Sequence, residues 1–366
     1  MSKINIAIIG LGDMGTGHLR GFDVLENARI HAVCDSNPLA AEKAIKQLKN
    51  NKPVYYSTYH DVMQDESVEA VVIAVPGYLH EEVFMECIRA NKHVLLEKPV
   101  AINYESFKRM KHAADNSDRV IQIGLVYRYS RFYRTIAQKL RGERELGDVM
   151  LAWCKEYRQC FPQEDWFYDK NKSGGAIVEK NCHHFDIFNW VIGSKPKKVF
   201  AMGGQHVYKD KAGCLIDCNY SLSEPKVIND ISIVDHAIVA IEYENGAKAN
   251  LNLCMYLRPM NVSGDGLEIG FIGSNGKQLI ARRDEEFGIF GGERCDGTIY
   301  IQSPADDGGQ FGHIGCQTQR LEFLECIENS KKPYAGINET YDALITAFAA
   351  EKSIEEGRII DLSEFC

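Results

Sequence analysis

The stretch Ile4-Asn-Ile-Ala-Ile-Ile-Gly-Leu-Gly-Asp-Met-Gly15, INIAIIGLGDMG, decides the fold of this 366-residue chain. Its largely apolar run 4–9 is typical of a strand that is buried on both faces. A glycine triplet follows at once, and a helical pattern then continues to about Leu25. Strand, glycine-rich turn and helix in this order predict the first unit of a parallel, doubly wound sheet.

The three glycines match the dinucleotide-binding fingerprint because they follow a predicted strand and open a predicted helix. Gly10 allows a tight turn, Gly12 lets the backbone approach a pyrophosphate, and Gly15 lets helix and strand pack closely. Asp13 and Met14 begin the helix, whose N-terminus favours an anion. A glycine-rich turn without a ligand is the alternative, because this spacing also arises by chance.

Asp35 closes the second predicted strand (28–35) where the fingerprint places an acid for the adenosine ribose. Its charge repels a 2′-phosphate, and Ser36 and Asn37 follow it instead of an arginine. We therefore expect NAD as cofactor in preference to NADP. As an alternative, Asp35 is simply a helix N-cap ahead of Pro38.

Strands and helices alternate to residue 127 and then give way to a different pattern. The alternation predicts a Rossmann domain over 1–127. Two Asn-Gly pairs, at 245–246 and 275–276, lie between apolar runs and predict hairpins. We therefore predict that 128–366 is an α/β domain with a large, mainly antiparallel sheet. The predicted helices are 38–50, 79–91, 103–116, 130–141, 320–330 and 339–357.

Composition narrows the class of protein. A hydrophobic content of 45% with 25% charged residues is ordinary for a globular chain. The net charge of −9 argues against a nucleic-acid partner, which needs a basic face. No apolar run reaches the roughly 18 residues of a membrane span. The 12 cysteines include no CxxC pair, so we expect reduced thiols, a cytoplasmic protein and no membrane partner.

The sequence Glu97-Lys98-Pro99 ends the fourth predicted strand (93–99). Open α/β sheets bind ligands at the carboxyl ends of their strands. The cation of Lys98 could there stabilise an alkoxide that develops on a substrate. A surface salt bridge between Lys98 and Glu97 explains the pair equally well.

The segment Val178–Asp186, VEKNCHHFD, concentrates reactive side chains after Gly174-Gly175. On an α-helix, Glu179, His183 and Asp186 fall near one stripe, which offers a carboxylate beside an imidazole for acid–base chemistry. Lys180 and His184 share the adjacent stripe.

Other interpretations of this segment stay open. A metal site needs more ligands, because HExxH is absent and adjacent histidines diverge on a helix. Cys182 faces away from the His183 stripe, which weakens a nucleophile interpretation. Both histidines are also explained as buried polar groups with satisfied hydrogen bonds.

Taken together, these motifs resemble the Gfo/Idh/MocA family of glucose–fructose oxidoreductase and inositol dehydrogenase, over essentially the whole chain. The resemblance implies a Rossmann domain, then an α/β domain whose sheet often mediates oligomers. Most members are NAD(P)-dependent dehydrogenases of sugars, polyols and related compounds. The matching segments are GLGDMG (10–15), Asp35, AVPGYLHEEV (74–83), EKP (97–99), SGGAIVEKNCHHFD (173–186), EFLECIENSKKPY and AAEKSIEEGRIIDL.

The resemblance implies that Lys98 contacts substrate and cofactor. It implies that His183 is the catalytic histidine, which the family places four residues after an acid, here Glu179. Asp186 matches the acid that the family has three residues after this histidine. The expected cofactor-binding residues are Gly10, Gly12, Asp13, Met14, Gly15, Asp35, Pro76, His80, Glu97 and Lys98. The expected substrate-binding residues are Lys98, Tyr127, Arg128, Trp166, Asn181, His183 and His184. Tyr157 and His313 are smaller candidates near the site, and no metal is expected.

The chain departs from the family at Glu179 and Asn181, where Asp and Gly are usual, and at Gly77, where Asn is common. These changes affect the expected substrate more than the reaction. The leading hypothesis is an NAD-dependent dehydrogenase of a sugar, cyclitol or related polyhydroxy compound. The alternatives are a glycoside-cleaving enzyme that oxidises its substrate transiently, and a non-catalytic sugar-binding or NAD-binding regulator. A homo-oligomer, dimer or tetramer, is expected from an apolar outer sheet face.

Overall fold

The structure, a computed structural model, describes residues 3–210, 212–218, 224–257, 266–282, 286–291, 315–365 and the backbone of 298–301. Contacts group the chain into two units. The first comprises Met1–Val126 with Gly315–Thr340, and the second Tyr127–Ile314 with Tyr341–Cys366. The sequence-based division into domains 1–127 and 128–366 stays a prediction; it assigned 315–340 to the second domain, whereas these residues make their contacts within the first unit.

A six-stranded sheet forms the centre of the first unit. Its strands are β1 (Ile4–Ile9), β2 (Ala28–Cys34), β3 (Val54–Tyr56), β4 (Ala70–Ile73), β5 (His93–Leu96) and β6 (Ile121–Ile123). Its helices before residue 127 are α1 (Asp13–Asp23), α2 (Pro38–Ile45), α3 (Tyr59–Gln64), α4 (His80–Arg89) and α5 (Tyr104–Asp115). The strand order is β3-β2-β1-β4-β5-β6, and every pairing is parallel. The predicted doubly wound α/β fold is confirmed.

The opening strand shows why this fold forms. Successive side chains of β1 point to opposite faces of the sheet, and Ile6, Ala7 and Ile8 are all fully buried. Such a strand needs a helix layer on each face, which the crossovers supply. The strand order reverses beside β1, between β2 and β4, and the carboxyl ends of β1 and β4 meet there. Ligands bind at such a switch point in open α/β sheets.

A nine-stranded sheet dominates the second unit, in the order β16-β15-β14-β13-β7-β12-β11-β8-β17. Among its described strands, only β7 and β12 pair in parallel. A separate two-stranded sheet contains β9 and β10. The strands are β7 (Val149–Tyr157), β8 (Pro196–Gly204), β9 (Cys214–Ile216), β10 (Lys226–Ile228), β11 (His236–Tyr243), β12 (Lys248–Cys254), β13 (Glu268–Gly273), β14 (Gln278–Arg282), β15 (Glu286–Phe290), β16 (Thr298–Ile301) and β17 (Ile360–Asp361).

Both predicted hairpins are present. Gly246 has φ +90° between β11 and β12, and Gly276 has φ +80° between β13 and β14. Burial alternates along β11, so one face of the sheet is covered and the other is open. The helices of the second part of the chain are α6 (Arg131–Ala137), α7 (Asp165–Tyr168), α8 (Lys170–Ser173), α9 (Cys182–Ile192), α10 (Cys316–Asn329) and α11 (Ile337–Glu356).

Helix α10 belongs to the first unit although it lies far along the chain. Its Phe323 and Leu324 are fully buried in the same apolar core as Ile6 and Ile8 of β1. The side-chain amide of Gln122 in β6 donates to the carbonyl of Gln319, at 2.9 Å. Helix α10 is therefore an integral part of the core that surrounds the parallel sheet.

Candidate active site

The glycine turn after β1 has the shape that a dinucleotide needs. An ideal Cβ on Gly10, where φ is +88°, would lie 2.4 Å from the carbonyl oxygen of Ala74. A Cβ on Gly15 would lie 1.8 Å from the carbonyl oxygen of Gly10, so helix and turn touch as backbone. At Gly12 a Cβ would meet nothing within 4 Å. Packing therefore requires glycine at positions 10 and 15, whereas Gly12 leaves space in front of the helix.

That space lies at the N-terminus of α1. Gly12 is the N-cap residue and provides no side-chain cap for the first turn, which contains Asp13 and Met14. Backbone N–H groups at a helix N-terminus bind phosphate oxygens well, and the helix dipole favours their charge. The turn therefore fits the pyrophosphate of a dinucleotide.

Asp35 ties the second strand to this turn. Its Oδ2 accepts a hydrogen bond from the backbone N–H of Leu11 at 2.8 Å, and its Oδ1 accepts one from Asn37 at 2.8 Å. The N-cap of α2 is Asn37, whose side chain accepts from the N–H of Leu39. The alternative that Asp35 itself caps α2 is therefore wrong. Each carboxylate oxygen of Asp35 retains acceptor capacity for a ribose hydroxyl.

Pro76 and His80 lie after β4, as expected for the cofactor side of the sheet. Pro76 precedes a single 3₁₀ turn, Gly77–Leu79, that leads into α4. The His80 Nδ1 is 2.7 Å from the carbonyl oxygen of Pro99, and its Nε2 is 2.9 Å from that of Val75. Burial lowers the pKa of His80 although both carbonyls oppose the shift. His80 thus joins two loops, and its cofactor contact stays a prediction.

Glu97 and Lys98 follow β5 at the same edge of the sheet. Glu97 is buried, and its Oε1 accepts a hydrogen bond from Nε2 of His18 in α1 at 2.8 Å. A surface salt bridge therefore does not describe this carboxylate. Lys98 is half-buried, and its backbone N–H points to Glu97 Oε2 at 3.4 Å. The first unit thus brings Lys98 to the edge where the glycine turn lies.

In the second unit, the segment VEKNCHHFD is not one continuous α-helix. Ile177–Asn181 form a π-helical turn, and α9 begins only at Cys182. The expectation of α-helical spacing between Glu179 and His183 is therefore wrong, because a π turn is wider than 3.6 residues. Such turns are frequent at functional sites. Both side chains are nevertheless buried.

His183 packs on an aromatic platform. Its ring centroid lies 4.9 Å from that of Tyr127, which in turn lies 4.6 Å from Tyr133. Both tyrosines are buried. The platform restricts the orientation of the imidazole, which general acid–base chemistry requires. The prediction that Glu179 orients His183 stays untested.

Asp186 forms an ion pair with Arg128. The Nε and Nη2 atoms of Arg128 donate to its two carboxylate oxygens at 2.8 and 2.7 Å. The guanidinium of Arg128 also lies 5.8 Å from the ring centroid of Trp190. A bidentate pair of this kind fixes both groups. Asp186 therefore holds Arg128 in place, and the grouping of Glu179, His183 and Asp186 at one site stays a prediction.

Glu156 of β7 is a site residue that the sequence motifs did not indicate. Its Oε1 lies 3.3 Å from Nζ of Lys180, and its Oε2 lies 3.4 Å from Nε2 of His184. Arg158 is 3.9 Å from the same carboxylate. Lys180 and His184 do share a face, as predicted, and the buried Glu156 joins them. The alternation of side chains along β7 could have indicated Glu156, because it points to the face opposite to the smaller candidate Tyr157.

The charges of this cluster follow from burial and proximity. Burial opposes ionisation of Glu156, but the charges of Lys180, His184 and Arg158 outweigh it and lower its pKa to about 2. Burial lowers the pKa of His184 to about 4, although Glu156 opposes the shift. The Asn181 amide lies 3.2 Å from Nδ1 of His184. If its N–H donates there, the proton of the neutral His184 is on Nε2, facing Glu156.

We expect His184 to make the second unit sensitive to acid. The pKa of His184 in the folded protein is lowered from 6.5 to about 4. The contribution of the neutral His184 to the unfolding free energy is therefore complete above pH 6.5 and is lost as the pH falls towards 4. Between pH 7 and 5, the wild type should lose about 2 kcal/mol more unfolding free energy than His184→Gln. Urea unfolding at both pH values measures this, with the exposed His112→Gln as control. Equal losses in wild type and His184→Gln would contradict the assignment.

Glu351 of α11 explains the second glycine of the pair that precedes the π turn. An ideal Cβ on Gly175, where φ is +104°, would lie 2.3 Å from Glu351 Oε1. That oxygen accepts a hydrogen bond from the N–H of Ile177 at 3.1 Å, and Oε2 pairs with Lys170 at 2.9 Å. A buried carboxylate thus caps the turn that carries Glu179. Gly175 makes room for it, whereas Gly174 is the left-handed C-cap of α8.

Gly175→Ala should therefore destabilise the protein strongly. The left-handed φ and the clash with Glu351 together should reduce the unfolding free energy by about 3 kcal/mol. Gly246→Ala is the matched control, since Gly246 has φ +90° with nothing near its Cβ position, and should cost about 1 kcal/mol. Urea unfolding compares the two variants. Similar losses would show that the Glu351 contact is unimportant.

The remaining candidates differ in their surroundings. Trp166 in α7 is half-buried and stacks on Phe167, with ring centroids 3.7 Å apart. Tyr157 is 37% exposed on the open face of β7. His313 lies outside the described residues. Within the described part of the chain, no group of three or more His, Cys, Asp or Glu side chains is placed to hold a metal ion. No described helix has the length and apolar character needed to cross a membrane.

The predicted residues therefore fall into two groups, one in each unit. The first unit collects the cofactor candidates and Lys98, namely Gly10, Gly12, Asp13, Met14, Gly15, Asp35, Pro76, His80, Glu97 and Lys98. In the second unit, contacts join Tyr127 to His183 and His184, and His184 to Asn181. Glu179, Arg128 and Trp166 belong to the same unit.

Two family models match the chain. An oxidoreductase family model with an NAD-binding Rossmann fold, GFO_IDH_MocA, matches residues 4–125. The model for the C-terminal alpha/beta domain of that oxidoreductase family matches residues 138–362.

Individual proteins match nearly the full length of this chain at low sequence identity. The chain is 23% identical to a myo-inositol 2-dehydrogenase of Thermotoga maritima, over 99% of each chain. It is 24% identical to a 2,7-anhydro-N-acetylneuraminate hydratase of Mediterraneibacter gnavus, over 100% of this chain and 98% of the other. A solved levoglucosan dehydrogenase, in complex with NADH and levoglucosan, superposes with a TM-score of 0.81 at 18% identity, covering 99% of this chain and all of that one. The solved structure supports the fold.

Proposed function

This chain belongs to the Gfo/Idh/MocA family of NAD-binding oxidoreductases, and we propose that it oxidises a hydroxyl group of a sugar, cyclitol or related polyhydroxy compound. The buried imidazole of His183 on its Tyr127 platform carries this proposal, because hydroxyl oxidation needs an oriented base. The names of full-length relatives support the substrate class, since one is an inositol dehydrogenase.

The cofactor would be held by the first unit. The open N-terminus of α1, with Gly12, Asp13 and Met14, suits the pyrophosphate, and Asp35 suits the adenosine ribose. The carboxylate of Asp35 disfavours a 2′-phosphate, which supports NAD over NADP. When bound, the nicotinamide supplies the hydride acceptor.

The side chains perform the proton and charge chemistry. His183 takes the proton of the substrate hydroxyl, with Glu179 as its orienting acid. Lys98 stabilises the negative charge that develops on the substrate oxygen. Arg128, Trp166, Asn181 and His184 are proposed to contact other substrate hydroxyls. Asn181 and Glu156 set the position of His184 and therefore bear on which polyol is accepted.

Turnover with a panel of polyols tests the function. Purified protein is mixed with NAD and single cyclitols, aldoses or anhydrosugars, and NADH absorbance is followed. Gly12→Val is the matched negative control, because its new side chain meets no protein atom within 4 Å of the Cβ position yet fills the proposed pyrophosphate space. We expect turnover with at least one polyol and none for a folded Gly12→Val. Full activity of Gly12→Val would refute the cofactor assignment.

A second candidate function is redox-neutral cleavage or hydration of an anhydrosugar or glycoside. The full-length match to an anhydro-sugar hydratase and the departures at Glu179 and Asn181 favour testing it. Product would then form while no NADH accumulates, and the added NAD would remain oxidised at completion. Stoichiometric NADH would exclude this candidate. NAD and sugar binding without any turnover would instead support a regulator.

We also propose that the protein is a homo-oligomer that associates through the open face of its large sheet. Met202 of β8 and Ile238 of β11 are cross-strand neighbours there, 57% and 52% exposed. Exposed apolar patches on sheets commonly mark interfaces. Ile238→Lys should lower the mass measured by light scattering, whereas Leu39→Lys, at a 72% exposed site on α2, should not. An unchanged mass would exclude this face.

The proposed location is the cytoplasm. Cys34, Cys87 and Cys154 are packed as small buried side chains, and burial raises the pKa of the Cys34 thiol to about 12. Such thiols suit a reducing compartment.

A further inference from the structure

A buried chain of three side chains links helix α10 to the segment that contains Lys98. Arg320 of α10 donates from Nε to Nδ1 of His18 at 3.3 Å. Nε2 of His18 then donates to Oε1 of Glu97 at 2.8 Å. All three side chains are buried, and all belong to the first unit. In sequence they are widely separated.

The two neighbours determine the protonation state of His18. A guanidinium only donates, so Nδ1 must accept and the proton of the ring lies on Nε2. Burial lowers the pKa of His18, the Glu97 hydrogen bond opposes this, and the charge of Arg320 reinforces it. His18 is therefore a neutral bridge between a cation and a carboxylate. It holds Glu97 with one defined hydrogen bond.

Two glycines make room for the side chains of Arg320 and Glu97. An ideal Cβ on Gly21 of α1 would lie 2.3 Å from Nη1 of Arg320. A Cβ on Gly124, just after β6, would lie 2.8 Å from Oε2 of Glu97. Gln317 accepts from Arg320 Nη1 at 3.0 Å and donates to the Gly21 carbonyl at 3.1 Å. The sheet and the helices α1 and α10 thus enclose the three hydrogen-bonded side chains closely.

Lys98 lies between two residues that buried histidines hold. Before it, Glu97 is bound by His18; after it, the carbonyl of Pro99 lies 2.7 Å from His80. Glu97 Oε2 also faces the Lys98 backbone N–H, at 3.4 Å. The backbone of Lys98 is therefore fixed from both sides. A side chain that must meet a developing charge needs such preorganisation.

We propose that His18 and Arg320 are positioning residues for Lys98: Arg320 sets the tautomer of His18, and His18 fixes Glu97 and hence the backbone that presents the lysine. The inference rests on the proposed function, in which Lys98 stabilises the substrate oxygen. His18 also lies in α1, whose N-terminus is proposed to receive the pyrophosphate. The same helix thus serves the cofactor site and the lysine.

Two substitutions at His18 separate positioning from simple folding. His18→Leu removes both hydrogen bonds, whereas His18→Gln retains an amide that can donate to Glu97 and accept from Arg320. With the substrate found in the polyol panel, we expect kcat to fall about 100-fold in His18→Leu and less than about 10-fold in His18→Gln. The affinity for NAD should fall less than kcat in both variants, because the proposed pyrophosphate and ribose contacts at Gly12 and Asp35 are unchanged. His31→Leu, which breaks a different histidine–carboxylate pair (His31–Asp65, 2.8 Å), is the control and should keep full kcat.

Hydrogen exchange tests the same point without turnover. A peptide spanning 97–104 should exchange faster in His18→Leu and Arg320→Gln than in wild type, and His18→Gln should restore most of the protection. Equal kcat in wild type and folded His18→Leu, or unchanged exchange in this peptide, would overturn the proposal. If no polyol is turned over, the proposed function fails while the exchange arm still decides whether this chain holds the Lys98 backbone.

Discussion

Replacing His183 with asparagine should lower kcat about 10³-fold, within the range expected for loss of a general base. Asparagine keeps a buried polar group of similar size but cannot take a proton from a hydroxyl. The dissociation constant of NAD should stay within twofold of wild type, because the proposed cofactor residues all lie in the other unit. Steady-state kinetics and a fluorescence titration with NADH measure the two quantities.

Chemical rescue makes the role of His183 specific. His183→Ala leaves a space beside Tyr127. If the variant lacks only a base, added imidazole should raise its kcat about tenfold. The exposed His112→Asn serves as control and should retain wild-type kinetics. Full turnover in His183→Asn would rule out the proposed base, whatever the outcome of rescue.

Removing the charge of Lys98 should have the second-largest effect. Lys98→Met retains the length and the apolar stem of the side chain, so the half-buried site stays filled. Loss of a cation that stabilises a developing oxyanion should lower kcat about 10²- to 10³-fold. Lys98→Arg should recover part of this rate, because the charge is kept with a different geometry. The exposed Lys108→Met is the matched control.

The two substitutions together test whether Lys98 and His183 serve one step. If both act in the same transition state, the double variant should lose much less than the product of the single losses. Full multiplication of the two losses would indicate independent roles. A wild-type kcat in Lys98→Met would remove the lysine from the mechanism.

Much of the first unit could be predicted because its signals are local. INIAII is buried on both faces, and the glycines at 10, 12 and 15 are separated by fixed steps. The short β3 and the helix α3 were not predicted, since a three-residue strand with exposed side chains has no clear periodicity. In the second unit, the two Asn-Gly hairpins were found, whereas the parallel pairing of β7 with β12 has no local signature.

The candidate site was predictable by residue type more than by geometry. His183 and Lys98 stood out by motif, and the structure places both in buried or half-buried positions. The π turn was not foreseen, because sequence spacing does not distinguish a π turn from an α turn. Glu156 was not singled out because its partners Lys180 and His184 lie in another part of the sequence, and no spacing joins them to it. The bond from Arg320 to His18 joins residues too distant in sequence for any pattern to show.

The return of the chain to the first unit has a consequence for synthesis on the ribosome. Phe323 and Leu324 of α10 fill the core around β1, so residues 1–126 alone leave an apolar gap when they emerge. At roughly 5–20 residues per second, the completing helix follows many seconds later. The nascent N-terminal segment must therefore wait with exposed apolar surface, a period in which a chaperone would have most to protect. A fragment that stops at residue 126 should share that weakness permanently.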